Sequence, residues 1–159
     1  MVASQKKQGG SIIIVSILVA IILMLIPLAE SIRFFRPEWV VMVLIYWAMA
    51  LPRRVSIGFA WITGLLMDVI MGGTLGVFAF SYVLVVYMVL RFHLQLRQYP
   101  LWQQALSIMS LVLIVQLISI LLSPRTAGWH VWLPAVTSTI MWPFIFAILR
   151  KVRRTFQVS

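Results

Sequence analysis

The chain has no cysteine and only three acidic residues, Glu30, Glu38 and Asp68, against thirteen lysines and arginines. Without cysteine there is no disulfide, no thiolate nucleophile and no cysteine-ligated metal cluster. Charged residues make up 10% of the sequence, where a soluble domain carries about a quarter. An ordinary water-facing surface is thereby excluded. The sequence contains no G-x-S-x-G elbow, H-E-x-x-H pair or Walker loop. An aspartic dyad needs two carboxylates close together, and only Asp68 lies within an apolar run. These lacks argue against an enzyme: no catalytic residue, metal ligand or cofactor is expected.

What the chain has is apolar sequence, 63% of its residues, with a mean hydropathy of +1.07. A membrane-crossing helix needs about twenty residues to traverse roughly 30 Å of hydrocarbon. Six such helices take about 120 residues and leave about 40 for every loop and both tails, so no soluble domain fits. The expectation is an all-α integral membrane protein, residues 1–159 forming a single six-helix transmembrane bundle. A pI near 11.5 would suggest nucleic acid in a soluble protein. Here basic loops are the ordinary requirement of correct insertion, so no nucleic acid partner is expected. The basic ends also favour anionic lipid headgroups.

The apolar runs place spans at about 11–29, 39–51, 57–71, 77–90, 101–122 and 131–149. Lys6 and Lys7 before the first run resemble a signal peptide, but the run to Leu28 exceeds the roughly 7–15 residues of a cleavable core. Pro27-Leu28-Ala29 is also a poor cleavage site, so a retained span is expected. With the amino terminus in the cytoplasm, Lys6, Lys7, Arg53, Arg54, Arg91, Arg97, Arg150, Lys151, Arg153 and Arg154 lie inside. Arg33, Arg36 and Arg125 lie outside. Ten against three is the bias that orients multi-span membrane proteins, and it puts both termini in the cytoplasm. Spans two and three are short enough to be re-entrant; that arrangement would reduce the split to eight against five. Trp39, Trp102, Trp129 and Trp132 fall near span ends, where interfacial indoles belong. His93 and His130 fall in expected loops on opposite sides, which excludes a shared metal site.

Asp68 is the single acidic residue inside a span, so it must be neutral, paired or in a polar interior. Ala60, Gly64, Asp68 and Gly72 recur every fourth residue and share a drifting helix face. Small residues at that spacing let another backbone approach closely. Gly72-Gly73-Thr74-Leu75-Gly76 follows as a tight turn that uses glycine's access to positive φ. Candidate partners for Asp68 are Thr63, Gln116, Ser119, Thr137, Ser138 or a side chain of a partner subunit. Two readings stand: a packing or assembly role, and ligand or ion binding.

Phe34-Phe35-Arg36-Pro37-Glu38-Trp39 is denser in polar and aromatic groups than a connector requires. Pro37 disfavours helix at Arg36, and Glu38 then sits at the positive end of the next helix. The segment reads either as a helix start with an interfacial Trp or as a partner-docking surface. Pro143 is expected to kink the last span, freeing a carbonyl for the hydroxyls of Thr137, Ser138 or Thr139 or for a neighbouring helix. Gln116 and Ser119 share a face, but Ser107 falls opposite Gln116, so span five has no pore-lining polar stripe.

Phe35 to Val40, Tyr46 to Val55, the core Gly64-Leu65-Leu66-Met67-Asp68-Val69-Ile70-Met71-Gly72-Gly73-Thr74-Leu75-Gly76, Leu101 to Ala105, and Trp142-Pro143-Phe144 with Arg150 to Arg153 together resemble the MreD family of rod-shape-determining inner-membrane proteins, in its proteobacterial form. The resemblance covers nearly the whole chain. It implies a non-enzymatic scaffold of the cell-elongation machinery that partners MreC, a single-span protein. Through that complex it implies links to MreB, RodA and a class B penicillin-binding transpeptidase. It also implies similarity in fold to the six-helix substrate-binding subunits of energy-coupling-factor vitamin transporters. From that kinship comes the alternative of a small-molecule- or lipid-binding subunit, its pocket lined by Asp68 and polar groups of spans five and six. A homo-oligomer is compatible with both.

Overall fold

The computed structural model describes residues 2–123, 128–156 and 158, and of residues 2–8 the backbone only. Six α-helices follow one another: α1 (Val2–Leu25), α2 (Trp39–Ala50), α3 (Ile57–Met71), α4 (Val77–Gln98), α5 (Leu101–Leu122) and α6 (Leu133–Thr155). Two 3-10 turns, Arg33–Phe35 and Trp129–Trp132, lead into α2 and α6. The helix α2 explains the architecture. All of Val40 to Met49 is buried, and a helix apolar on every side belongs in the interior. Around it pack α1, α4 and α6, while α3 packs on α4, and α5 bridges α4 and α6. Its twelve residues reach only about 18 Å. Enclosed by protein, it is not required to match the hydrocarbon thickness on its own.

The all-α bundle is that of an integral membrane protein. The segments Val77–Gln98, Leu101–Leu122 and Trp129–Thr155 are long and apolar enough to cross a membrane; Gly9–Leu25 and Ile57–Met71 are shorter apolar helices. The bundle has two chemically different ends. The basic end gathers Arg53, Arg54, Arg97 and the α6 arginines, and Arg54 lies over Gly9 so closely that a Cβ there would fall 2.6 Å from its Nη1. The opposite end gathers the α1–α2 connector, the α3–α4 turn and all three carboxylates.

Helix limits differ from the sequence expectation where breakers were misjudged. The backbone of α1 stops at Leu25 rather than Ala29, because Pro27 disfavours helix at the residue before it. The basic stretch after Leu90 is not a loop: α4 continues to Gln98, interrupted only at Phe92 (φ −110°, ψ 15°). No glycine or proline stops it before Pro100, so His93 sits on a helix, its Nδ1 2.7 Å from the Leu90 carbonyl. Likewise α6 runs to Thr155 and stays one helix through Pro143. Its neighbouring hydroxyls serve other groups: Thr137 donates to Leu133 O, Thr139 to Ala135 O, and Ser138 Oγ accepts from Glu38 N–H. The expected outward loop with Pro124 and Arg125 lies outside the described residues.

Candidate functional site

Three features stand out, two at the end opposite the basic one and one running along the bundle from there, the first being the α3–α4 hairpin. Helix α3 ends on Gly72 (φ 64°) and α4 begins after Gly76 (φ 96°), both left-handed conformations that favour glycine. Folding back, the chain presents the first amides of α4 to Asp68, one turn from the end of α3. The Asp68 carboxylate accepts from Gly76 N–H (2.9 Å), Phe78 N–H (2.9 Å) and Ala79 N–H (3.2 Å). A helix leaves its first amides without intrahelical partners, and its N-terminus favours negative charge. The partner of Asp68 is therefore backbone, not the side chains of Thr63, Gln116, Ser119, Thr137 or Ser138 proposed from sequence. Thr63 donates instead to Phe59 O.

The hairpin also brings the small-residue face into contact. Ala60, Gly64 and Asp68 are buried, and a Cβ on Gly64 would fall 2.6 Å from Ala79 N and 2.7 Å from Phe78 O. Gly72 is exposed, with nothing near its missing Cβ; its place is conformational rather than packed. Gly73 is also exposed, in the turn. The cavity beside Asp68, lined by Gly73, Thr74, Phe78 and Ser119 among others, measures about 60 Å³. Sites for organic ligands run to roughly 300–1,000 Å³.

The second feature is the connector. Arg36 turns inward, Nη1 donating to Met24 O at 2.5 Å and Nη2 to Ile26 O at 2.6 Å, so it satisfies carbonyls at the end of α1. Glu38 is the N-cap residue of α2, yet its side chain makes no capping bond. Its backbone N–H donates to Ser138 Oγ at 2.9 Å, and its Oε1 accepts from Gln116 Nε2 at 3.1 Å. Oε2 is buried with no partner among the described residues. Burial pushes the Glu38 carboxyl up to about 7, the Gln116 hydrogen bond and the Arg36 charge acting against that rise. The Gln116–Glu38 link was not foreseen; the signal was a lone glutamine deep in an apolar run. Pro37 and Trp39 are half-buried, and Phe35 is exposed. Phe34 stacks on His130 at 4.7 Å, with Arg33 over its ring at 5.4 Å.

Third is a long apolar groove of about 600 Å³ between α1 and α6, floored by Trp39 and Val43 of α2. One wall carries the ridge Ser11, Ile12, Val15, Ser16, Val19, Ala20 and Leu23; the other carries Ile145, Ile148, Leu149, Val152 and Phe156. The α1 wall rises about 18 Å over these residues. The groove exists because α1 packs on α2 and has no comparable packing on α6. Trp47 Nε1 ties α1 to α2 by donating to Ser16 Oγ at 2.8 Å. Trp39 belongs both to the groove floor and to the connector, so the two features are continuous.

Comparison with known proteins gives this geometry a family. Residues 5–152 match the family described as rod shape-determining protein MreD. The rod shape-determining protein MreD of Haemophilus influenzae is 38% identical over 140 residues, 86% of each chain. No solved structure matches the chain. With a family match over most of its length and a close relative of the same size, the chain belongs to the MreD family of rod shape-determining proteins.

Proposed function

We propose that this MreD-family chain is a non-enzymatic membrane scaffold of the cell-elongation machinery, and that it binds the single transmembrane helix of MreC. The observation that carries the reading is the α1–α2–α6 groove, continuous with the connector through Trp39. Lipid tails are as apolar as leucine, so helices associate in a bilayer through close packing rather than hydrophobic drive. The groove offers a preformed surface for such packing: Ser11, Ser16 and Ala20 keep its α1 wall low, and Trp39 gives a broad floor. Trp39 joins the groove to the connector that bears Phe34 and Phe35, and a partner's juxtamembrane segment leaves the groove along that connector. Arg36, held by the α1 carbonyls, and Glu38, held by Gln116, fix the rim's shape rather than contact the partner.

In this reading the chain crosses the inner membrane six times with both tails in the cytoplasm. MreC held in the groove brings RodA, the class B penicillin-binding transpeptidase and cytoplasmic MreB into one assembly. Ala60, Gly64, Asp68, Gly72, Gly73, Gly76 and Pro143 serve the bundle's internal architecture. A metabolite-binding role has less support, since three amides occupy the Asp68 carboxylate and the cavity beside it, about 60 Å³, has room for no more than a few waters. Co-purification is the test. Stoichiometric recovery of MreC with the full chain is the expected result; a retained small metabolite without a protein partner contradicts it.

A further inference from the structure

At the basic end, four guanidinium groups line one pocket of about 200 Å³: Arg97 from the end of α4, and Arg150, Arg153 and Arg154 from α6. Positions 150, 153 and 154 share one helix face, and the continuation of α4 past Phe92 brings Arg97 to meet them. We infer that this pocket binds the phosphate group of an anionic phospholipid. The inference stands apart from the MreC reading.

Like charges gathered in one pocket repel unless an anion joins them. This chain supplies no side-chain carboxylate there. Glu30 and Glu38 lie on the connector and Asp68 lies beside the α3–α4 turn, all at the other end of the bundle. A buried phenol adds a directed donor: Tyr46, 2% exposed, lines the same pocket as Arg150, Arg153 and Arg154. A tyrosine hydroxyl can accept from a guanidinium and still donate its own O–H to an anion. Gln104 holds the wall in place, donating to Leu96 O at 2.8 Å.

The chemistry selects phosphate. Guanidinium forks match phosphate oxygens in paired, charge-assisted hydrogen bonds, and basic pockets between membrane helices take lipid headgroups. The pocket's depth selects a lipid as the source. It lies at the ends of α2, α4 and α6, at headgroup level in the six-span reading, and Met49 and Phe146 add apolar surface to its lining. Arginines placed only to orient the chain need not converge. Arg91 and Lys151 at the same end stand outside the pocket.

The test uses the purified, delipidated full chain in neutral detergent, with lipid retention counted by native mass spectrometry and affinity read from thermal-shift titration. Phosphatidylglycerol is expected to remain bound at one per chain and to raise the unfolding temperature; phosphatidylcholine and inorganic phosphate alone are not. The R150Q/R153Q double variant is expected to weaken phosphatidylglycerol binding about 25-fold, at about fivefold per arginine. R91Q/K151Q removes equal charge and should change it less than about twofold. Should the first double variant not fold, R97Q alone should cost about fivefold. Equal losses in both double variants, or full stabilisation by inorganic phosphate, would overturn the inference. So would the absence of retained lipid together with stabilisation by an acidic peptide.

Discussion

Glu38 and Gln116, 78 positions apart, meet where α2 begins and α5 nears its end: Gln116 Nε2 donates to Glu38 Oε1 at 3.1 Å. The bond ties the connector to the bundle, and the buried, unpartnered Oε2 makes the ionised carboxylate costly. With its carboxyl at about 7 when folded and near 4.5 otherwise, Glu38 prefers its neutral form in the fold. A raised carboxyl pKa contributes stability that is full below the unfolded value and is lost as pH rises through the folded one.

The unfolding temperature in detergent should therefore fall as pH is raised from about 5 to 8, by the equivalent of about 1–3 kcal/mol. Glu38→Gln keeps an acceptor for Gln116 and removes the charge. It should flatten that step and match or exceed the parent at pH 8. A variant with the parent's pH profile would show that the carboxyl does not titrate in this window.

Asp68 closes the α3–α4 hairpin with three backbone amides. Asparagine keeps one acceptor and sets an NH₂ against the remaining donors. Asp68→Asn should cost about 2–4 kcal/mol of stability, read as a lowered unfolding temperature and lower yield in the membrane. An unchanged unfolding temperature would mean that the carboxylate's charge is not what holds the turn.

Gly64 lets α3 approach the Ala79 backbone, a contact with no flexible side chain to yield. Gly64→Ala should cost about 2–4 kcal/mol. Gly58→Ala, whose Cβ would meet only Ser56 Oγ at 3.8 Å, should change stability by less than about 1 kcal/mol and in the favourable direction. Equal effects from the two substitutions would remove the close-approach argument.

Arg36 holds the end of α1 through the Met24 and Ile26 carbonyls. Arg36→Ala should raise amide hydrogen exchange several-fold in residues 20–26 while leaving the α3–α4 hairpin protected. It should also lower MreC recovery, because the α1 wall of the groove loses its anchor. Unchanged exchange would place the anchoring elsewhere.

Much of this architecture was legible in the sequence, and the reasons for the remainder are physical. Apolar run lengths gave six helices, and the four-residue recurrence of Ala60, Gly64 and Asp68 marked a close-packed face. Run length alone made α2 look marginal for a span; only the helices around it explain its shortness. The Asp68 partners were hidden because they are backbone amides, which carry no residue identity. An aspartate four residues before a glycine-rich turn was the available signal. Charge misled at Arg91 to Arg97: polar residues after an apolar run suggested a loop, yet no breaker precedes Pro100. The pairing of Glu38 with Gln116 and the convergence of Arg97 with the α6 arginines depend on tertiary placement, which no local pattern encodes.

The central claim is that the groove between α1 and α6 holds the MreC transmembrane helix, and site-specific photo-crosslinking in cells tests it most directly. A photoreactive residue at Val15 or Ile148, both more than half exposed on the groove walls, should capture MreC. The same probe at Tyr87 or Leu121, exposed on α4 and α5 away from the groove, should not. Capture from Tyr87 or Leu121 with none from Val15 or Ile148 would contradict the account.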